Sequence, residues 1–196
     1  MARWPGGESY RIMIPRMGAI GRHSLKRIDV SAQPGNRRRG WIVTGSQRIA
    51  VALGRSGIKV NKREGDGATP AGSFRPLRVW WRKDRGPRPA VLLPCRSIGL
   101  ADGWCEDPRH RRYNRPIKLS AGATGDRLAR ADALYDVFVE IDHNTRPRVA
   151  GRGSAVFIHV ARPNFGPTAG CIAMPAPVLR RLVRRLGPNT KIVIHA

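Results

Sequence analysis

Acidic side chains are scarce in this chain: 13 Asp and Glu stand against 37 Lys and Arg, a formal net charge of +24. Such a surface draws polyanions by long-range electrostatics, and nucleic acid, anionic lipid headgroups or an anionic cell-wall polymer would all qualify. Most of the excess is arginine, which GC-rich coding also produces, so the charge alone selects no function. Long apolar runs are missing too. No stretch approaches a membrane span, and residues 1–30 hold no apolar core of a secretory signal. Cysteine is rare: only Cys95, Cys105 and Cys171 occur, with no C-x-x-C and no Cys/His spacing that suits zinc. The spacing of Cys95 and Cys105 allows one disulfide, which would leave Cys171 as the odd thiol. No internal repeat and no linker divides the chain.

What is there fits one globular domain with a real core. The 196 residues are 41% apolar and 26% charged, both ordinary values that argue against wholesale disorder. The 22 glycines and 16 prolines favour many turns and short elements. Residues 1–27, with Pro5, Gly6, Gly7, Pro15, Gly18 and Gly21, lack periodicity and read as an N-terminal extension; residues 28–196 read as the domain. Two apolar runs, WIVTG and IAVAL, flank a turn at Ser46-Gln47-Arg48, and a loop through Pro34-Gly35-Asn36 and the basic Arg37–Arg39 precedes them. Glu64 to Gly72 is loop chemistry between strand-like flanks. Residues 82–127, rich in Pro, Arg and Gly, read as a long decorated connection of the kind that carries function. LYDVFVEID and SAVFIHVA read as strands covered on both faces. After Met174-Pro175-Ala176-Pro177, the residues Leu179, Leu182, Val183 and Leu186 follow the i, i+3, i+4, i+7 rule of a helix with one buried face. Arg180, Arg181, Arg184 and Arg185 occupy its solvated side, Gly187-Pro188 ends it, and KIVIHA reads as a last strand.

Two features carry chemistry. On the strand AVFIHVA, alternation puts Ala155, Phe157 and His159 on one face. Thr168-Ala169-Gly170-Cys171 follows a Pro/Gly loop. A thiol must lose its proton to attack a carbonyl, and a neutral imidazole within reach removes it. Gly170 permits close backbone approach, and amides around Gly170 and Cys171 would stabilise a tetrahedral oxyanion. The loop RPNFGPTAG joins His159 to Cys171 and is short enough to bring strand and turn together. The same residues also admit a plain structural reading, a core histidine bonded to a carbonyl and a buried inert cysteine.

This arrangement resembles the active-site motif of the YkuD-type L,D-transpeptidases: a histidine, a variable loop, then Ser/Thr, His, Gly, Cys and an aliphatic residue. The stretch Gly65 to Phe74, with Thr69-Pro70-Ala71-Gly72-Ser73-Phe74, resembles the family's T-P-x-G-x-F turn. The resemblance spans residues 28–196. It implies a mainly β fold, a compact sandwich of mixed sheets with one helix after the nucleophile and short additional helical turns. It implies a thioacyl-enzyme on Cys171, with His159 as base and then acid, Thr168 orienting the histidine or substrate, and oxyanion amides from Gly170 and Cys171. The implied substrate is a peptidoglycan stem peptide, both acyl donor and acceptor, attacked at the diaminopimelate–D-Ala bond. No metal or organic cofactor is implied; β-lactams of the carbapenem type would inhibit. The protein would be a monomer working in the periplasm or cell envelope, although no signal peptide is visible. This chain departs from the pattern at two places, with Ala169 for the usual second histidine and Ala173 for the usual Arg or Asn. Its His-to-Cys separation, 171 − 159 = 12, is also short. Loop clusters at Trp104-Cys105-Glu106-Asp107, Tyr113-Asn114-Arg115-Pro116 and Asp142-His143-Asn144 would rebuild the pocket, giving Trp104, Tyr113, Asn114, His143 and Asn144 as candidate substrate-binding residues. Three other readings remain open. One is an L,D-carboxypeptidase or endopeptidase passing the same intermediate to water. Another is a basic nucleic-acid-binding module, for which no recognisable motif or regular stacking aromatics appear. The third is a catalytically dead wall-binding protein, against which both Cys171 and His159 speak.

Overall fold

The computed structural model describes residues 24–120 and 125–196. The chain opens with β1 (Arg27–Gln33), β2 (Asn36–Thr44) and β3 (Gln47–Ala52) as an antiparallel meander. In β1 the alternation Ile28, Asp29, Val30 buries one side and wets the other, as a period of two requires. Three short strands, β4 (Ile58–Lys59), β5 (Thr69–Pro70) and β6 (Gly72–Phe74), carry the Thr-Pro turn. Then come β7 (Pro76–Trp81), β8 (Cys95–Ser97), β9 (Asp102–Trp104), β10 (Pro116–Lys118) and β11 (Asp126–Arg127). The chain ends with β12 (Val137–Ile141), β13 (Phe157–Val160), β14 (Ile172–Met174), the helix α1 (Ala176–Val183) and β15 (Lys191–Ile194), with one 3-10 turn at Pro163–Phe165.

Ten strands form one mixed sheet in the order β6-β15-β1-β2-β3-β14-β13-β12-β7-β8; β10-β9-β11 form a second sheet, and β4-β5 a third. The β13–β14 and β1–β15 pairs are parallel, whereas β12–β13 and β2–β3 are antiparallel. The described residues are therefore mainly β with one α-helix, the architecture that the resemblance implied.

Strict alternation along the central strands makes two cores. Val137, Val139, Ile158, Val160, Ile172 and Met174 face an aliphatic cluster that α1 completes with Leu179, Leu182 and Val183. Each such side chain removed from water contributes ~1.5–3 kcal/mol. The intervening residues Phe138, Phe157 and Cys171 face a second cluster with Trp80, Trp104 and Tyr135. The β9 strand closes this side: the Trp104 ring meets Phe157 edge-on at 4.9 Å and Trp80 at 6.4 Å.

Three expectations change and one open point is settled. Arg37–Arg39 are strand rather than loop, because β2 pairs on both sides and Arg39 lies opposite Ala52. The long connection 82–127 contains its own three-stranded sheet, whose strands are too short to leave a periodic signal. The helix stops at Val183; Leu186 is buried from the turn that follows it. No disulfide links Cys95 and Cys105: all three cysteines are free. The extension expected at residues 1–27 lies, up to residue 23, outside the described residues. Residues 24–27 join the fold, with the Leu25 amide donating to Arg185 O at 2.8 Å.

Candidate active site

His159 and Cys171 come to share one face because β13 and β14 are parallel neighbours. Ile158 lies opposite Ile172 and His159 opposite Ala173, so Cys171 falls beside Phe157 and on the same face as His159. Strand spacings put two such diagonal positions about 8 Å apart at Cβ. Both line one cavity of about 370 Å³.

The turn before Cys171 is pinned from both motifs. Thr168 Oγ donates to Cys171 O at 2.6 Å and accepts the Gly170 amide at 3.1 Å. Thr69 of the Thr-Pro turn accepts the Gly54 amide at 2.9 Å and donates to the same Cys171 carbonyl at 3.5 Å. Thr168 Oγ thus fixes the backbone at Cys171, and the Gly170 amide expected to serve an oxyanion is already engaged.

Cys171 is 7% exposed. Its Sγ accepts the Phe157 amide at 3.3 Å and donates its proton to Ala155 O at 3.1 Å. Burial pushes the thiol up to about 12; the Phe157 hydrogen bond and the Lys62 charge offset part of this, while Asp126 and Glu106 add to it. His159 is buried, and burial drives it down to about 4, with Arg162 and Arg130 pushing the same way. Its Nδ1 lies 2.8 Å from Val160 O. A carbonyl only accepts, so Nδ1 carries the proton and Nε2 is left as an acceptor. The Tyr135 ring holds the imidazole edge-on at 5.5 Å. At neutral pH the pair is therefore a neutral thiol and a neutral imidazole, and the thiol proton rests on Ala155 rather than on His159.

Ala155 accepts that proton from a left-handed backbone, φ 51, a conformation costing about 1–2 kcal/mol in a non-glycine residue. Asn114 holds it there. Its Oδ1 accepts the Ala155 amide at 3.1 Å and Trp104 Nε1 at 3.0 Å, and its Nδ2 donates to His143 O at 3.1 Å and Asn144 O at 2.9 Å. Asn144 in turn donates to Val149 O and Gly153 O, each at 2.9 Å, and His143 Nε2 lies 3.0 Å from Arg152 O. Tyr113 donates to Glu64. The five candidate substrate-binding residues Trp104, Tyr113, Asn114, His143 and Asn144 therefore sit together, but none lines the cavity. They form the layer that shapes its wall at Ala155.

The cavity's own charged lining comes from elsewhere: Glu64, Glu106 and Asp126 on one hand, and Arg55, Lys62, Arg130 and Arg162 on the other. Burial, reinforced by Asp126 and Glu64, pushes Glu106 up to about 7. Burial also raises Asp126, although Tyr135 donates to it at 2.6 Å and Arg130 lies beside it. Of these, the sequence pointed only to Glu106, through its cluster with Trp104; the others are scattered along the chain with no common motif. Among the described residues, no three His, Cys, Asp or Glu side chains gather as a metal-ligand group, and no helix is long and apolar enough to cross a membrane.

The family model of the L,D-transpeptidase catalytic domain, YkuD, matches residues 26–194. No curated protein matches the chain. Among solved structures, the chain is similar to the structure of Bdellovibrio bacteriovorus Bd1075, at 12% identity and a TM-score of 0.41, over 88% of this chain and 50% of that one. This chain thus spans half the length of that protein.

Proposed function

Because the chain belongs to the YkuD family of L,D-transpeptidase catalytic domains, we propose that it is a cysteine acyltransferase that attacks the diaminopimelate–D-Ala bond of peptidoglycan stem peptides and passes the acyl group to an amine. The observation that carries this reading is the placement of Cys171 and His159 on one face of adjacent parallel strands, both lining one cavity. In the proposed step the thiol proton leaves Ala155 O for His159 Nε2 as Sγ attacks the carbonyl carbon. With the thiol near 12 and the imidazole near 4, proton transfer accompanies attack instead of preceding it. Collapse of the tetrahedral intermediate re-forms the carbonyl and breaks the C–N bond. The departing D-Ala amine takes the proton back from His159. A second amine then attacks the thioester and gives its proton to His159; the C–S bond breaks, and His159 returns that proton to Cys171 Sγ.

The lining supports a zwitterionic substrate. Carboxylates at Glu64, Glu106 and Asp126 suit an ammonium group, and the arginines suit carboxylates. Diaminopimelate carries both. Peptidoglycan as substrate would put the enzyme's work in the periplasm or cell envelope. Water as acceptor, giving an L,D-carboxypeptidase, uses the same intermediate.

Incubation with a purified tetrapeptide stem, with products sorted by mass, tests the reading. A cross-linked dimer is expected. Tripeptide alone would reassign the acceptor to water, and unchanged substrate would overturn the proposal. A carbapenem is expected to add one covalent mass to wild type at Cys171, with Cys171→Ala abolishing it; labelling confined to Cys95 or Cys105 would overturn the mechanism.

A further inference from the structure

Lys62, in the loop between β4 and β5, has a side chain that is only 4% exposed. Burying an ammonium is unfavourable unless its protons are answered. Two of them are: Nζ donates to Asp66 Oδ1 at 2.9 Å and to Arg63 O at 3.3 Å. Asp66 is itself fixed by the amides of Arg63 at 2.9 Å and Ala68 at 2.8 Å. The third proton remains, and the side chain lines the cavity that holds Cys171.

The backbone is cut away on both sides of this lysine. Gly170 has φ 143, and a Cβ there would stand 3.2 Å from Lys62 Nζ and 2.7 Å from Ala68 O. Gly153 has φ 94, and a Cβ there would stand 2.8 Å from Lys62 Cε. Two glycines in a conformation that side chains avoid thus admit one cation against the residue that precedes the nucleophile. One of the two amides expected to serve the oxyanion, those of Gly170 and Cys171, is also already engaged. The Gly170 amide is spent on Thr168 Oγ at 3.1 Å, and Ala169 and Ala173 have no polar side chain.

We propose that the Lys62 ammonium is the catalytic group that faces the oxyanion formed when Cys171 attacks a carbonyl. The proposal rests on the acyl-transfer reading above. As the S–C bond forms, the carbonyl π pair moves onto oxygen and its charge develops against Lys62. When the carbonyl re-forms and the leaving amine takes its proton from His159, that charge disappears. Lys62 keeps its three protons throughout, as an electrostatic stabiliser does.

The test compares two reactions of the same thiol. Acylation by a carbapenem passes through an oxyanion; alkylation by iodoacetamide displaces iodide at a saturated carbon and does not. Lys62→Met is expected to lower the limiting acylation rate at saturating carbapenem by ~10²–10³-fold and to leave alkylation within a few-fold of wild type. Lys62→Gln, which keeps a donor without the charge, is expected to fall between, and it carries the comparison should Lys62→Met fail to fold. An unchanged acylation rate overturns the proposal. So does an equal loss in both reactions, which would assign Lys62 to the thiol or the fold. A rise in half-saturating carbapenem alone also overturns it, by assigning Lys62 to the ligand's carboxylate. Wild type that alkylates at Cys171 yet never acylates overturns the acyl-transfer reading, and this proposal with it.

Discussion

The two faces of β12, β13 and β14 alternate along one backbone but differ in kind. Toward α1 they present Val139, Ile158, Ile172 and Met174, aliphatic groups whose contribution is burial. Toward β9 they present Phe138, Phe157, His159 and Cys171 beside Trp80, Trp104 and Tyr135. Aromatic rings pack rigidly and carry polar edges, and here those edges are used. Trp104 Nε1 donates to Asn114 at 3.0 Å, Trp80 Nε1 donates to Glu140 at 2.9 Å, and Tyr135 OH donates to Asp126 at 2.6 Å. The comparison teaches that one face supplies stability by area, while the other holds chemical groups at fixed positions and accepts strain, at Ala155, to do so.

Substitutions on each face should separate these roles. His159→Ala is expected to slow carbapenem acylation of Cys171 by ~10²–10⁴-fold, a barrier change of about 3–5 kcal/mol, read as adduct mass against time; an unchanged rate would remove His159 from its role. One residue earlier, Ile158→Ala on the opposite face is expected to cost ~2–5 kcal/mol of stability, read from the denaturant midpoint, while the acylation rate of the folded fraction stays near wild type. A smaller effect sharpens the contrast. The folded imidazole is held near 4, whereas an unfolded histidine titrates near 6.5. Below the higher value the unfolded chain binds the extra proton, so the stability present above pH ~6.5 is lost as pH falls toward ~4, by at most about 3 kcal/mol. The difference in stability between wild type and His159→Gln should therefore shrink over that interval. Ile158→Ala should keep the wild-type slope, and an equal slope in all three proteins would detach it from His159.

Much of this was legible in the sequence. Apolar runs covered on both faces gave β12 and β13, the apolar i, i+3, i+4 spacing gave α1, and the turn Thr168 to Cys171 pointed to the candidate nucleophile. Strands of two or three residues, such as those of β10-β9-β11, are too short for a periodic pattern, so their sheet was invisible. Trp104, Tyr113, Asn114, His143 and Asn144 were found as polar-aromatic clusters, yet composition cannot tell a wall from the layer behind it. The Asn114 side chain makes four hydrogen bonds, three of them with partners 29 to 41 positions away, and only the fold brings them together. Lys62 looked like one basic residue among 37, because its burial depends on glycines at 153 and 170, about 90 and 110 positions away.

The hydrogen bond from Cys171 Sγ to Ala155 O bears on the lifetime of the molecule as well as on its proposed chemistry. Peroxide attacks thiolates, and the first product, a sulfenic acid, leads on to irreversible acids. A sulfur kept protonated by burial and tethered to a carbonyl presents almost no thiolate to an oxidant. On the proposed acyl-transfer reading, the same parking arrangement gives the resting protein chemical endurance, exposing its reactive form only while an acyl group is being handled.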